Sequence, residues 1–581
     1  NLYTNVGTTV GYYGTFAVGS THNVSSDGTA DNGNLANGVV DATSYSNYFA
    51  NVATGKEDFH LKTTDTVLRN TGTSLSADPY YAFAVDVDGA GRVDGSWDRG
   101  ADEAPRVVYY SVGTSTANLN SASTVTITSG AAQFNAAQSN VNIGVGDKLI
   151  AGGNIYYISG RSDQQNYAVI TATGATPADL GSTAVTSITR TFNGLNTAIC
   201  DAPGVRNASY LGSVDLVTNN YYLNIACYAD GEDSEDDVYT DGWETGANNW
   251  LKIYTPVGTN EVGISQRHNG TWGTGYRRVG DINCKSQRIH LDGIAGQQLT
   301  GYAAFFVHPA RGGETWISNC LAYNPDASTV HAYLVQNDDL YPYTVKIWNS
   351  IGISESAASN DYAFYSLDYA PGNTSIYMYN CTFYADGGQS IRLVTYDNGT
   401  YHIKNTIGVS GASTAFNKTG NASISVDYSA SDDSTADTWG VLNNRVDQAF
   451  TFAGAGNYHL ASNDAGARDF GTDLSADAII AFATDIDGDT RPYNTTWDIG
   501  ADEYVVPADS TPPTIVDATL YDTDNDGYIN EILVEFDEAM DDASFGAGSQ
   551  WTFGGTACVS VNTGDTANDN FIKVVTDDTT V

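Results

Sequence analysis

Between residues 285 and 430, apolar and polar residues alternate over short runs, and each run ends in a polar turn. Such period-2 patches predict strands whose alternate side chains face a core. A similar tetrad recurs at their ends: Leu291-Asp-Gly-Ile294, Ser318-Asn-Cys-Leu321, Trp348-Asn-Ser-Ile351, Tyr379-Asn-Cys-Thr382 and Lys404-Asn-Thr-Ile407. Asp292, Asn319, Asn349, Asn380 and Asn405 follow one another at spacings of 27, 30, 31 and 25 residues. The Gly-, Asn- and Tyr-rich stretches between them carry no helical period, which leaves no room for crossover helices. Repeating strands of this kind predict a coiled parallel solenoid, each coil stacked on the next at about 4.8 Å.

The recurring Asn suits a bend. Its amide both donates and accepts, so a ladder of such residues in register bridges backbone groups of the coils above and below. The next residue is small each time (Gly293, Cys320, Ser350, Cys381, Thr406), as an inward position in a narrow bore requires. Cys320 and Cys381 are then expected as buried thiols, two coils apart and too distant to bond.

A second repeat has a far longer period. Asp86-Val-Asp-Gly89, Arg92, Trp97-Asp98 and Gly100-Ala-Asp-Glu103 return as Asp485-Ile-Asp-Gly488, Arg491, Trp497-Asp498 and Gly500-Ala-Asp-Glu503, offset by 399 residues up to the Arg and 400 from the Trp. Upstream, Phe59-His60-Leu61 resembles Tyr458-His459-Leu460, Leu75-Ser-Ala-Asp78 matches Leu474-Ser-Ala-Asp477, and Thr29-Ala-Asp31 matches Thr435-Ala-Asp437. Residues 1–104 thus read as the C-terminal part of a first solenoid module. Residues 105–250, with hairpin patterns at Gly144-Val-Gly-Asp147 and Asn154-Ile-Tyr-Tyr-Ile158, read as a β-rich N-terminal cap or insertion of a second module, and 251–504 as its solenoid. In both copies the closing motif is expected to plug the last coil, with Trp97 and Trp497 as covers and Arg491 paired to Asp498 or Asp502. Asp509-Ser-Thr-Pro-Pro-Thr514 reads as a linker. Ile532-Leu-Val-Glu-Phe536, Ala539-Met-Asp541 and Trp551-Thr-Phe553 continue as a small sandwich, so 505–581 is expected to be an immunoglobulin-like module, incomplete at Val581.

Composition sharpens this picture. The chain is rich in Gly (60) and Tyr (38) and poor in Met (2), which favours pleated surfaces and turns. Lys and Arg number 25 against 68 Asp and Glu, a net charge of −43, so a nucleic-acid partner is not expected. No apolar run reaches the ~20 residues of a membrane span. The six Cys lack metal spacing or a disulfide framework; Cys200 and Cys227 are the one pair considered for a bridge in an exported chain. Asn1 does not begin a nascent protein, and residues 1–104 open partway through a module. A longer polypeptide, or a neighbouring copy joined head-to-tail, is expected to continue it.

At this point a family resemblance emerges. Trp316-Ile-Ser-Asn-Cys-Leu321, Asn380-Cys-Thr-Phe383 and the closing Asp485-Ile-Asp-Gly with Trp497-Asp-Ile-Gly-Ala-Asp-Glu503 resemble right-handed parallel β-helix repeat proteins of bacterial surfaces. The closing motif, the most specific part, is similar to that of choice-of-anchor-type β-helix proteins. The resemblance covers most of 1–504. It implies an all-β chain, a right-handed parallel β-helix followed by the Ig-like β-sandwich, with an extracellular or cell-surface location more than an activity.

Several residues carry candidate chemistry. Asp522, Asp524 and Asp526 alternate before Gly527, with Asn530 and Glu531 beyond, a set of hard oxygens suited to structural Ca²⁺, with an ion-free acidic turn as the alternative. Asp485, Asp487 and Asp489 offer a weaker Ca²⁺ loop, against the reading of plain Asp-Gly turns. Arg267, His268 and Trp272 group the residue types of a saccharide contact, and Asp230–Asp237 reads as a solvated acidic loop. No nucleophile–His–acid order stands out, so no catalytic residue is expected. The expected role is structural or adhesive, in a surface fibre or filament that associates with itself or neighbouring modules and meets surface polysaccharide. A carbohydrate-binding module and a polysaccharide lyase or hydrolase are the alternatives.

Overall fold

The computed structural model describes residues 2–3, 21–25, 29, 45–52, 58–62, 65, 67–92, 97–121, 123–202, 205–309, 311–325, 330–338, 341–369, 374–396, 399–411, 413–506, 513–539, 552–553, 556–562 and 569–576. Within the expected motifs, Ala30, Asp31, the linker positions 509–512, Met540, Asp541 and Trp551 lie outside these residues. The chain divides into two compact units, Asn1–Val505 and Val506–Val581. Among the described residues the structure is all-β apart from helices Tyr45–Tyr48 and Leu195–Ile199, the 3₁₀ turn Thr435–Thr438 and 3₁₀ conformation at Thr29.

Three long parallel sheets of ten, eight and seven strands dominate the first unit. The chain visits them in turn: Tyr343–Trp348 lies in the ten-stranded sheet, Ile351–Ser354 in the eight-stranded one, Phe364–Asp368 in the seven-stranded one, and Thr374–Tyr379 returns to the first. Each returning strand pairs in register with its predecessor, an arrangement compatible with a solenoid. In the ten-stranded sheet, Ile225, Ile253, Leu291, Ile317, Ile347, Met378, Ile403 and Val426 stand one above another, all buried. Burying each such side chain contributes about 1.5–3 kcal/mol, so this column alone binds successive coils together. In the eight-stranded sheet, two neighbouring rows of opposite facing are buried from Ala295–Gln297 onward. Gly296, Ala322, Gly352, Phe383 and Gly408 form one row, and Leu321, Ile351, Thr382 and Ile407 the other.

The corner between these two sheets explains the recurring Asn more fully than hydrogen bonding alone. Gly293, Asn319, Asn349, Asn380, Asn405 and Tyr428 occupy it, all with φ between 47° and 75°. This left-handed conformation is easy for Gly and tolerated best by Asn among the rest. One alignment needs correcting: Asp292 pairs with Ser318, one residue before the corner, and Gly293 is that coil's corner residue. Asp292 still receives Asn319 Nδ2 at 2.8 Å. Further up, Asn349 Nδ2 donates to Asn319 Oδ1 (3.4 Å) and Asn405 Nδ2 to Asn380 Oδ1 (3.0 Å).

The second closing segment does not plug the last coil. It runs back along this corner. Asn349 Nδ2 donates to the Thr484 carbonyl (2.7 Å), Asn380 Nδ2 to those of Asp498 (3.2 Å) and Gly500 (3.1 Å), and Asn405 Nδ2 to that of Thr472 (2.8 Å). Ile486, Ala501 and Tyr458 cover Ala295, Leu321 and Ile351 on the outer face of the eight-stranded sheet. Trp497 packs beside Tyr379, Leu474 and Ile480 on the flank, and is therefore not an end cover. The Thr435–Thr438 turn instead touches a strand of each of the three sheets, and Trp439 packs against the core. Arg491 pairs with Glu503 (3.0 Å), and not with Asp498 or Asp502, whose carboxylates accept backbone N–H groups of Asp469, Tyr504 and Leu460.

The ten-stranded sheet begins at Arg106–Val112 and continues at Tyr221–Cys227. Between these strands the chain forms a closed six-stranded antiparallel barrel spanning Thr124–Thr128 to Leu180–Thr189. The six cysteines are buried and free, Cys200 and Cys227 included. The second unit holds a four-stranded antiparallel sheet over Ile532, Val534, Phe536, Ile572 and Val574, and a separate hairpin.

Candidate functional site

Both closing segments are built on one plan. In the first, Asp102 Oδ2 accepts the Leu61 N–H (2.6 Å), Glu103 takes Arg92 (3.0 Å) and the Asp98 N–H (2.9 Å), and Asp98 accepts from Asn70 and Ala104. In the second, Asp502, Glu503, Arg491 and Asp498 make the corresponding bonds at 2.7, 3.0, 2.9, 2.6 and 2.8 Å. Asp86 and Asp485 use one carboxylate oxygen to close their own Asp-Gly turns. These buried carboxylates therefore hold backbone donors that the strandless loops would otherwise leave unpaired.

On each scaffold a histidine meets two carboxylates. His60, Asp88 and Asp102, and likewise His459, Asp487 and Asp502, place ligand-capable atoms within 4.8 Å of one another. His60 Nε2 lies 2.9 Å from Asp88 Oδ2, and His459 Nε2 lies 3.0 Å from Asp487 Oδ2. The other ring nitrogens, both Nδ1, meet Asp58 Oδ1 and Asn457 Oδ1. Burial alone would lower His459. The hydrogen bond to Asp487 and the charges of Asp502, Asp487 and Asp485 outweigh it and raise the pKa, while burial raises Asp502.

Of the residues singled out in the sequence, Asp487 joins this cluster. Asp485 and Asp489 do not, because Asp485 is fully buried in its turn and receives the Glu503 N–H on its second oxygen. Asp522, Asp524 and Asp526 converge on an exposed turn that Asp522 closes through the Asn525, Asp526 and Gly527 N–H groups. Asn530 Oδ1 accepts from Thr523, which lies between Asp522 and Asp524, and Glu531 pairs with Lys573 (3.2 Å). Arg267 is committed to Asp292 (2.7 Å) and His268 is 2% exposed, held near pKa 3 by burial, then by Arg267. Trp272 leans on Tyr323. Of the three only His268 is buried; Arg267 and Trp272 are half-buried. The acidic run is not simply solvated: Asp233 is buried against Tyr276 and Arg278, and Asp230 against Arg190. A polar cleft of about 480 Å³ lined by Asp215, Asp241, Glu244, Lys285 and Arg311 lies nearby, but its Trp243 is 3% exposed and offers no ring face to a sugar.

No family model, curated protein or solved structure matches this chain. The sequence repeats His60 as His459 in similar tripeptides, but nothing local marks either as a partner of the Asp-Gly loop that follows 26 residues later (86 − 60 and 485 − 459). Among the described residues no helix is long and apolar enough to cross a membrane.

Groups inside and outside the closing segments set the pH response. Burial lifts Asp98 to about 6 and both Asp281 and Asp498 to about 7. It lowers His290 to about 3 and His331 to about 4. A carboxyl with a raised folded pKa binds more protons folded than unfolded, so its contribution falls as pH rises from about 4 to about 7. The two imidazoles act oppositely, costing stability as pH falls below about 6.5. Between about pH 6 and pH 8 the carboxyls dominate, and growing negative charge adds self-repulsion. The apparent Tm is expected to be lower at pH 8 than at pH 6, as differential scanning calorimetry would read; an equal or higher value at pH 8 contradicts this.

Proposed function

We propose that this chain is a structural or adhesive element of a cell-surface fibre or filament, built from a right-handed parallel β-helix and an immunoglobulin-like module. The observation that carries the reading is the closing segment, which occurs twice with matching hydrogen bonds and, in its second copy, is laid along the row of corner asparagines. Duplicated modules sealed along a flank suit tandem extension, and the strongly acidic composition suits solubility outside the cell. Self-association is head-to-tail, and surface polysaccharide is the external partner. Ca²⁺ on the Asp522 turn would add to this reading but does not support it.

The test is imaging of the full chain by negative stain at rising concentration, alongside incubation with acidic polysaccharides. Regular linear assemblies with unaltered glycan agree with the proposal. Strictly monomeric particles at high concentration, or release of shortened or unsaturated sugar products, would replace it with the binding-module or lyase/hydrolase reading.

A further inference from the structure

We propose that each closing segment binds one divalent transition-metal ion, on His60, Asp88 and Asp102 in the first and on His459, Asp487 and Asp502 in the second. Two ligands bonded to one ion at about 2.1 Å stand roughly 3.0–3.4 Å apart across tetrahedral or octahedral angles. The His Nε2–Asp Oδ2 separations of 2.9 and 3.0 Å lie at the short edge of that spacing. The ring is also oriented for the task. Asn457 Oδ1 accepts the His459 backbone N–H (3.1 Å), which identifies it as the amide oxygen, so the neighbouring Nδ1 must carry the proton it shares. Nε2 is then the nitrogen directed at Asp487, and Asp58 does the same for His60. A carboxylate or carbonyl behind the distal ring nitrogen is the usual partner of a metal-ligating histidine.

A separate observation points to a missing ligand. Asp102 is 5% exposed; its Oδ2 holds the Leu61 N–H, while its Oδ1 is buried without a hydrogen-bond partner. A buried carboxylate oxygen left unpaired is costly, and a cation shared with His60 and Asp88 would satisfy it. Asp88 Oδ2 also accepts from Asn248 Nδ2 (2.8 Å), which steadies it from outside. At the second site, Gly270 lies against the ring: a Cβ there would stand 2.5 Å from His459 Nε2 and 3.4 Å from Asp487 Oδ1. Imidazole nitrogen with two carboxylates favours Zn²⁺, Co²⁺, Ni²⁺ or Mn²⁺ over the all-oxygen preference of Ca²⁺, so the ion differs from the one first expected on the Asp485 loop. Bound there, it would staple the hairpin carrying the His to the Asp-Gly loop and to the closing Gly-Ala-Asp-Glu.

The experiment is titration of the metal-stripped full chain with Co²⁺ in excess Ca²⁺, which occupies oxygen-only sites such as the Asp522 turn. Two equivalents of Co²⁺ giving visible d–d absorption, displaced by Zn²⁺, are expected. His60→Ala and His459→Ala should each remove one equivalent with an unchanged far-ultraviolet spectrum. Asp88→Asn and Asp487→Asn change partly exposed carboxylates, so they decide the matter if a His variant unfolds; each should weaken its own site about tenfold or more. No Co²⁺ absorption with the native chain, or a stoichiometry that the His and Asp substitutions leave unchanged, overturns the proposal and leaves these groups as simple His–Asp ion pairs.

Discussion

Replacing Arg190 by Met is expected to destabilise the junction between the barrel and the first coil by about 3–5 kcal/mol. Arg190 follows the last barrel strand and is 4% exposed. It reaches Asp147 at 2.8 Å, Asp230 at 2.7 Å and the Asn142 carbonyl at 3.1 Å, with its guanidinium 3.5 Å over the Tyr228 ring. Asp147 is wholly buried at the start of a barrel strand, and Asp230 lies just beyond the second strand of the ten-stranded sheet. Removing the cation strands a buried carboxylate whose pKa burial already raises, and this uncompensated charge is the main cost. Adding Asp147→Asn should recover part of the loss because it removes that charge. Because a chain of two units need not unfold in one step, hydrogen exchange at barrel and first-coil amides is the appropriate measurement. Protection within about 1 kcal/mol of the native chain would show that the clamp contributes little.

Asn380→Ala should cost about 2–3 kcal/mol, and Asn380→Gly clearly less. The residue is fully buried with φ 47°. Alanine incurs roughly 1 kcal/mol or more for the left-handed corner, a penalty that glycine escapes. Both substitutions lose the amide's bonds to Asp498, Gly500 and Asn405, about 0.5–1.5 kcal/mol each. The loss is moderated because Arg491 also reaches the Asp498 and Gly500 carbonyls, and Asn405 also reaches Thr472. Thermal melting of the two variants, with exchange at the Gly500 amide, checks the order. Alanine proving no worse than glycine would remove backbone strain from the account of why Asn recurs.

The corner row was legible because its cause is local: a left-handed Asn followed by a small inward side chain recurs at Asn319, Asn349, Asn380 and Asn405. The one-residue slip at Asp292 has the same origin. Asp-Gly imitates Asn-small in a string of letters, and only the pairing of Asp292 with Ser318 separates them. The duplicated closing motif was legible too, since both copies need the same carboxylates to hold the same loops.

What the motif does was not legible. Asn349 and Thr484 are 135 residues apart, and nothing in either neighbourhood says that the segment returns along the corner instead of covering the end. The choice of Glu503 for Arg491, among three acids within six residues, depends on how the Gly500 turn curls. Arg267 and His268 looked like surface chemistry until the fold turned them towards Asp292 and the interior. By itself the amino-acid sequence determined the strand period, the four corner asparagines and the module repeat, because each follows from steric and hydrogen-bonding preferences within a few residues. Tertiary structure alone decided which distant charges share a buried space, and so brought each histidine to its two aspartates, because Coulomb and ligand interactions depend on separation in space and not along the chain.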